Sequence, residues 1–445
     1  MPKQQNVILG AGLAGLTAAY TLQQAGEDDW LVLEKESRPG GHTRSIELGG
    51  YVFDYGPHIL FTNDPSIEKL VRDLLGQNLR SQERQAFIYH AAYGRYTRFP
   101  FQAHLFGLPT GLVKECLLGL VAALERQARD EFDPRNYEEW MRGFFGDGIA
   151  ERLMIPYARK LWTVEPATMD FNWIGRRVPT PDVERILAGA LTDDVGQVGA
   201  TAQFWYPWRG GIEALPRALA NRVANIKLEC EVKRIDVRRR VLELTDGSEL
   251  AFGDLIFTLP LGSLHRWILD LPSKVASACD RLQSQGILNV NLGIDRPSLS
   301  QHHWVYFYED AFPFHRLSFP GNFSPHNVPP GKSSISAEVA FRAGSELDAD
   351  VAVAATVDAL QAAGILQRED VVELVHVEAI APAYVIYDLK HTATVDIIVS
   401  WLRSVGIWPA GRFGEWQYFN MDHAMKSGRT AAHAVIAEAR RSPVA

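Results

Sequence analysis

Three glycines and an acid near the start of the chain are spaced to hold a diphosphate. Gly10-x-Gly12-x-x-Gly15 follows the apolar run Val7-Ile8-Leu9, and Glu34 closes the next apolar run. The first glycine permits a tight turn, the second lets backbone approach a pyrophosphate at a helix N-terminus, and the third lets helix and strand pack closely. Glu34 would accept from ribose hydroxyls. Alone, such a match also describes an ordinary turn with a surface acid; the strand and helix around it give it weight. Arg38-Pro39-Gly40-Gly41-His42-Thr43-Arg44-Ser45 follows the second run. It reads either as a plain surface turn or as a loop wrapping a phosphate and ribityl chain. Its distance from the fingerprint favours FAD over NAD, because an FAD site must continue past the diphosphate to hold a flavin. Tyr55-Gly56-Pro57-His58-Ile59-Leu60-Phe61 adds a rigid turn with a histidine, whose plainer reading is a core imidazole satisfied by backbone.

Near the other end, Gly411-Arg412-Phe413-Gly414 precedes Trp416, Tyr418 and Asn420-Met421-Asp422-His423, after which residues 424–437 have helical spacing. A polar residue there suits an N-cap. The positive end of that helix would face the flavin N1 and C2 carbonyl and stabilise the anionic reduced ring. The candidate cofactor residues from these segments are Gly10, Gly12, Gly15, Glu34, Gly41, His42, Thr43, Gly56, Pro57, Gly411, Arg412, Asn420 and Met421, and Lys35 and Val232, which lie outside the quoted motifs, are counted with them.

These residues need elements to place them. The first 34 residues read strand, glycine turn, helix over 13–24 and strand over 30–33, a βαβ unit. Apolar positions recur at three and four over 64–74, 112–128, 137–145 and 149–157, marking a mostly helical region. Alternation over 227–244 and 249–259, with Thr245-Asp246-Gly247 as a turn, and again over 286–294, 304–308 and 334–340, predicts an antiparallel sheet. Residues 351–363 form a helix stopped by Gly364. The expected fold is α/β: a discontinuous Rossmann-like FAD-binding domain over 1–84, 203–262 and 393–445, a mainly helical substrate region over 85–202, and a substrate domain of antiparallel sheet plus helix over 263–392.

Composition narrows the partners. With 445 residues, 47% of them hydrophobic, the chain can bury a large core of more than one lobe. A formal net charge of -8 and the lack of any basic run interleaved with aromatics argue against nucleic acid. The Arg238-Arg239-Arg240 run reads as a solvated face. Apolar stretches are too short to span a bilayer. Cys116, Cys230 and Cys279 are too few and too scattered for a disulfide framework or a thiolate metal site, and the thirteen histidines show no ligand pairing, so no metal is expected. A cytoplasmic location fits all of this; the oligomeric state is not legible.

The chain resembles the UDP-galactopyranose mutases, a branch of the FAD-dependent amine oxidase and protoporphyrinogen oxidase superfamily, and most closely the eukaryotic-type enzymes. The resemblance runs through Tyr137-Glu138-Glu139-Trp140, Ile155-Pro156-Tyr157, Leu161-Trp162, Trp173-Ile174-Gly175-Arg176-Arg177-Val178 and Tyr206-Pro207-Trp208-Arg209-Gly210-Gly211. It continues in Trp304-Val305-Tyr306-Phe307-Tyr308-Glu309-Asp310, Pro313-Phe314-His315-Arg316 and the segment 411–423. It implies that reduced flavin N5 attacks the anomeric carbon of a nucleotide sugar and expels the nucleoside diphosphate. The opened sugar then recloses through another hydroxyl, interconverting pyranose and furanose with no net redox. It further implies Arg177 and Arg316 as diphosphate-binding arginines, a task that suits bidentate guanidinium. Tyr384 and Tyr418 match diphosphate-contacting tyrosines, and His58 a histidine beside the flavin. Phe61, Trp304, Tyr306 and Asn322 would line the sugar and flavin pocket, with Gln102 and Trp162 toward the nucleotide. A UDP-sugar is the implied substrate and NAD(P)H the candidate reductant.

Four positions depart from the family pattern: Ala158 and Thr201 stand where nucleotide-contacting asparagines are expected, and Phe99 and Phe323 where pocket tyrosines are. Lost amides and hydroxyls redirect selection at those points, toward a different base or sugar. Two rivals share the flavin segments: an oxidase or dehydrogenase of amines or hydrophobic rings, and a catalytically silent flavin-binding protein. A diphosphate site built on Arg177 and Arg316 separates the mutase from the oxidase; the silent protein would be yellow yet turn over neither class of substrate.

Overall fold

The computed structural model describes residues 5–175, 182–193, 202–345 and 347–441. The chain opens with a fully buried strand, Asn6–Leu9, and the helix Leu13–Gln24, which turns Leu13, Leu16, Ala18, Ala19 and Leu22 inward. Trp30–Leu33 then runs parallel to the first strand, as the spacing predicts. Three later strands complete a five-stranded parallel sheet in the order Ile407–Pro409, Leu255–Phe257, Asn6–Leu9, Trp30–Leu33, Ile226–Lys227. The carboxyl ends of the strands therefore converge on Gly10, Glu34, Thr258 and Gly411, at one edge, where open parallel sheets bind ligands.

A second sheet has seven strands in the order Val372–Ile386, Gln283–Ile294, Ser333–Arg342, Arg316–Ser318, Trp304–Tyr306, Ala86–His90, Arg95–Arg98. It departs from the expected antiparallel sheet, because Trp304–Tyr306 pairs parallel with Ala86–His90. The stretch 85–202, expected to be mainly helical, thus contributes two strands before its helices begin. Val372–Ile386 carries Pro382 and still forms a strand, because at the sheet edge a missing N–H need break no ladder bond.

The two faces of this sheet differ. Leu288, Val290, Leu292 and Ile294 alternate onto one face with Ile335, Ala337 and Val339, beneath Ala352, Ala359 and Leu360 of the helix Ala349–Ala362. Asp348 caps that helix, accepting from the N–H groups of Asp350 and Val351, and Gly364 at φ 69° follows its end. The intervening residues, among them Asn289, Asn291, Ser334, Ser336 and Glu338, occupy the opposite face and are buried as well.

The helices Thr110–Ala128 and Tyr137–Ile149 meet backbone to backbone through glycines: a Cβ on Gly148 would lie 2.6 Å from the Glu115 carbonyl, and one on Gly146 2.1 Å from the Gly119 carbonyl. Gly146, at φ 77°, interrupts the second helix; the chain continues through Ala150–Met154 into Ile155–Trp162. No described helix is long and apolar enough to cross a membrane. The three cysteines are buried, unpaired thiols. Arg239 lies exposed against Glu249, in keeping with a solvated arginine run, while Arg240 folds back over the ring of Phe252.

Candidate functional site

The glycine turn has the shape a diphosphate needs. Gly10 sits at φ 97° with its absent Cβ 2.5 Å from the Thr258 hydroxyl, and a Cβ on Gly15 would lie 1.9 Å from the Gly10 carbonyl. Both must be glycine for the turn to close. At Gly12 a Cβ would meet only the Gly41 Cα, at 3.8 Å, so the space above its backbone is open between the two glycine segments. Glu34 is buried, and its carboxylate accepts from the N–H groups of Ala11 (2.7 Å) and Glu36 (3.0 Å), leaving acceptor capacity on both oxygens.

The loop holding Gly41, His42 and Thr43 is held by the buried Glu213 and the half-buried Asp54. Glu213 accepts from Ser45 N–H (2.9 Å), and Asp54 accepts from the Ser45 hydroxyl (2.7 Å), Ile212 N–H (2.9 Å) and the Tyr206 hydroxyl (2.8 Å). Burial pushes Asp54 up to about 6 against the pull of those hydrogen bonds. The C-terminal segment closes on the same turn: a Cβ on Gly411 would lie 2.8 Å from the Ala14 Cβ, and Gly411 N–H donates to Ser427 Oγ at 2.7 Å. The rings of His42 and Phe413 stand edge to face at 5.0 Å. These residues fit a dinucleotide: an open glycine cradle, a buried acid beside it, and the start of the helix Met421–Arg441 nearby.

Facing this cleft is the polar side of the seven-stranded sheet. Register places Tyr306, Arg316, Glu338, Asn289 and Glu378 in one row across five strands, and Trp304, Ser318, Ser336, Asn291 and His376 in the next. The segment running from Tyr51 to His58 lies over it: a Cβ on Gly293 would strike the Tyr51 ring at 2.7 Å, and one on Gly56 would touch Ile380 at 3.6 Å. Arg316 forms a two-pronged bond through Nε and Nη2 to both oxygens of Glu338, with Nη2 to Oε1 at 2.9 Å. Burial opposes the charged guanidinium, but Glu338, together with Tyr384 and Tyr306, more than offsets it, so Arg316 stays a cation. Asn289 Oδ1, the Gln285 amide and the Ser318 and Ser334 hydroxyls are buried without a hydrogen-bond partner among the described residues, which marks this wall as one built for polar company.

His58 joins the two sides. Its Nδ1 lies 2.7 Å from the Gly56 carbonyl, which can only accept, so Nδ1 carries the proton and Nε2 is left as an acceptor. Burial, then the charges of Arg412 and Arg316, lower it to about 4 against that hydrogen bond, and His42 falls to about 3 through burial, Arg412, His58 and Arg44. Arg412 stacks over Tyr384 (5.0 Å) and Tyr418 (5.3 Å) and donates to the carbonyls of Phe419 and Ala383. Trp162, buried, sets its edge or face against both tyrosines at 5.9 and 5.8 Å.

The structure thus brings together His58, Arg316, Tyr306, Tyr384, Tyr418, Arg412 and Trp162. Arg177 and Thr201 lie outside the described residues. The amide of Asn322 donates to the carbonyls of Ser300 and His302, holding a loop. Phe323 and Trp304 stack at 6.1 Å within a core with Phe204, and Ala158 is also core. Phe61 follows the Leu60 bridge to Trp205, and Gln102 lies in the turn Phe101–Ala103, close in the chain to Phe99, whose ring meets Tyr306 at 4.6 Å. Lys35 is exposed beside Glu36, and Val232 packs in the core with Leu33. Glu338 and Asn289 belong to no motif quoted from the sequence, and Tyr157 stands there only within the matching segment Ile155-Pro156-Tyr157, with no site role. The first two stand on the polar parity of strands that alternate with apolar residues, a readable signal; Tyr157 is found by its ring contact with Tyr306 at 5.5 Å.

Comparison with known proteins agrees with the cleft. The chain belongs to the family of flavin containing amine oxidoreductases, whose pattern matches residues 13–436. It is a flavin-dependent enzyme of that family. It is similar to the crystal structure of a reduced UDP-galactopyranose mutase, with a TM-score of 0.92 and 27% identity over 99% of this chain and 95% of that one. A putative protoporphyrinogen oxidase from Exiguobacterium sp. 255-15 shares the fold, with a TM-score of 0.75 and 19% identity over 98% of this chain and all of that one. Among curated proteins, the coproporphyrinogen III oxidase of Bacillus subtilis (strain 168) is 23% identical over 379 residues, 78% of this chain and 80% of that protein.

Proposed function

We propose that the chain is an FAD-dependent nucleotide-sugar mutase, interconverting pyranose and furanose forms of a UDP-sugar without net redox. The observation that carries this reading is the polar row Tyr306, Arg316, Glu338, Asn289 and Glu378 opposite His58. Sugar hydroxyls and a diphosphate need donors, acceptors and a guanidinium, whereas the ring system of a porphyrinogen needs an apolar wall. The likeness to a UDP-galactopyranose mutase supports it.

A reduced flavin bound here supplies a nucleophilic nitrogen that is regenerated after each turnover. Arg316 orients and neutralises the departing diphosphate, joined in this proposal by Arg177. Burial raises the Tyr384 hydroxyl above its ordinary range, so it stays a donor to phosphate oxygen. His58, neutral with Nε2 free to accept, orients a donor without adding a positive charge. NAD(P)H is proposed as the reductant.

The second reading, oxidation of a porphyrinogen, is favoured by the curated relatives, and propionates could also use Arg316. Dithionite-reduced holoenzyme given UDP-, GDP- and dTDP-hexoses is expected to yield a ring-size isomer from at least one UDP-sugar. Oxygen consumption with coproporphyrinogen III or an amine, and no isomer from any nucleotide sugar, overturns the proposal.

A further inference from the structure

Glu338 stands in the polar row without an assigned part in the reaction, and its placement is specific. The two are direct cross-strand partners on Arg316–Ser318 and Ser333–Arg342. Glu338 is 2% exposed and uses both oxygens on Nε and Nη2, while the Arg316 side chain keeps 20% of its surface and its Nη1 has no hydrogen-bond partner among the described residues. His315, whose Nε2 lies 3.7 Å from Glu338, is held far below its ordinary range by burial and by Arg316, so it adds no charge. One edge of the guanidinium is thus locked on Glu338 and the other makes no hydrogen bond among the described residues, on a side chain whose cross-strand neighbour on the other side is Tyr306 and whose charge is felt by His58. The pair as a whole is neutral.

From this arrangement we propose that Glu338 is a positioning residue that tempers Arg316: it aims the free guanidinium edge at the diphosphate and cancels much of its charge, so that the nucleotide is bound firmly enough to orient but loosely enough to leave. The inference rests on the nucleotide-sugar reading. A pair kept only for stability would have no effect on ligands beyond fold integrity, because breaking one partner of a buried ion pair is costly wherever it occurs. A tempering carboxylate makes a prediction of opposite sign. Its neutral isostere leaves Arg316 uncompensated, and the diphosphate should bind more tightly.

The test measures UDP and uridine binding to the reduced holoenzyme by flavin fluorescence, with turnover alongside. For Glu338→Gln, UDP should bind about tenfold more tightly, the gain expected from one unscreened charge, with uridine unchanged. The gain should shrink as salt is raised. KM and kcat should both fall, because product leaves more slowly. The double variant Arg316→Gln/Glu338→Gln should lose UDP binding while keeping uridine. If Glu338→Gln does not fold, Glu338→Asp replaces it: drawing the guanidinium back by one methylene should weaken UDP but not uridine. Unchanged UDP affinity, or equal weakening of UDP and uridine, in the variant that folds overturns the inference alone. A wild-type protein that binds none of UDP, GDP and dTDP overturns the nucleotide-sugar reading and this inference with it.

Discussion

Gly428 of the C-terminal helix lies against the backbone of Ala14 in the first helix: a Cβ built on Gly428 would sit 2.0 Å from the Ala14 carbonyl oxygen. This contact ties the two ends of the chain together behind the glycine turn. Alanine is the better helix former, but no rotation of a Cβ relieves an overlap with backbone. Gly428→Ala should therefore destabilise the protein by about 1–3 kcal/mol and lower its flavin content. Thermal melts and the ratio of flavin to protein absorbance check this; a variant matching the parent in both refutes the close packing.

Gly12 and Gly15 separate folding from binding. A Cβ at Gly15 collides with the Gly10 carbonyl, whereas one at Gly12 meets only open space above Gly41. Gly15→Ala should lose both stability and flavin. Gly12→Ala should melt within about 0.5 kcal/mol of the apoprotein yet fail to retain flavin, since the added methyl occupies the approach of the diphosphate. Both variants are compared as apoprotein by calorimetry and as holoprotein by absorbance.

Arg412 and Tyr384 should divide stability from substrate contact. Arg412→Lys loses the stack on Tyr384 and Tyr418 and cannot make both bonds to Phe419 and Ala383, so a loss of about 2 kcal/mol is expected. Tyr384→Phe keeps the ring and removes only the hydroxyl. Its stability should stay within about 0.5 kcal/mol of the parent, while KM for the nucleotide sugar rises about tenfold, the worth of one hydrogen bond to a charged group. Denaturant titration and steady-state kinetics read the two effects apart.

Acid should unfold the protein through buried imidazoles. His90 bonds Tyr308 and Thr97, His303 bonds Gln82 and Gln85, and burial lowers each from the ordinary 6.5 to about 4. Between those values the unfolded chain binds protons that the folded chain refuses, so stability falls as pH drops through that window. The loss is about 2 kcal/mol per histidine at about pH 5. Denaturant midpoints at pH 7 and 5 measure it. The double variant His90→Gln/His303→Gln should show a shallower slope; an unchanged slope removes these two groups as the cause.

Local order determined what the sequence could tell by itself. The strand, glycine turn, helix and second strand of the first 34 residues, the turn at Thr245-Asp246-Gly247 and the helix ending before Gly364 each depend on neighbours in the chain. The glycine fingerprint and the flavin follow from the same short range. Tertiary structure decided the rest. Glu338 meets Arg316 because two strands adopt one register out of several that the same alternation allows, and a slip of one residue would set Arg316 opposite Ala337 or Val339 and turn Glu338 to the apolar face. The parallel pairing of Trp304–Tyr306 with Ala86–His90 joins residues more than two hundred positions apart, beyond the reach of any periodicity. The amide of Asn322 holds the carbonyls of Ser300 and His302, partners that no local pattern in the sequence names. Residue type sets which bonds a side chain can make, but only the packing of both faces of the sheet selects the partner, because register is fixed by burying the apolar face under its helix and the polar row is carried to the cleft with it.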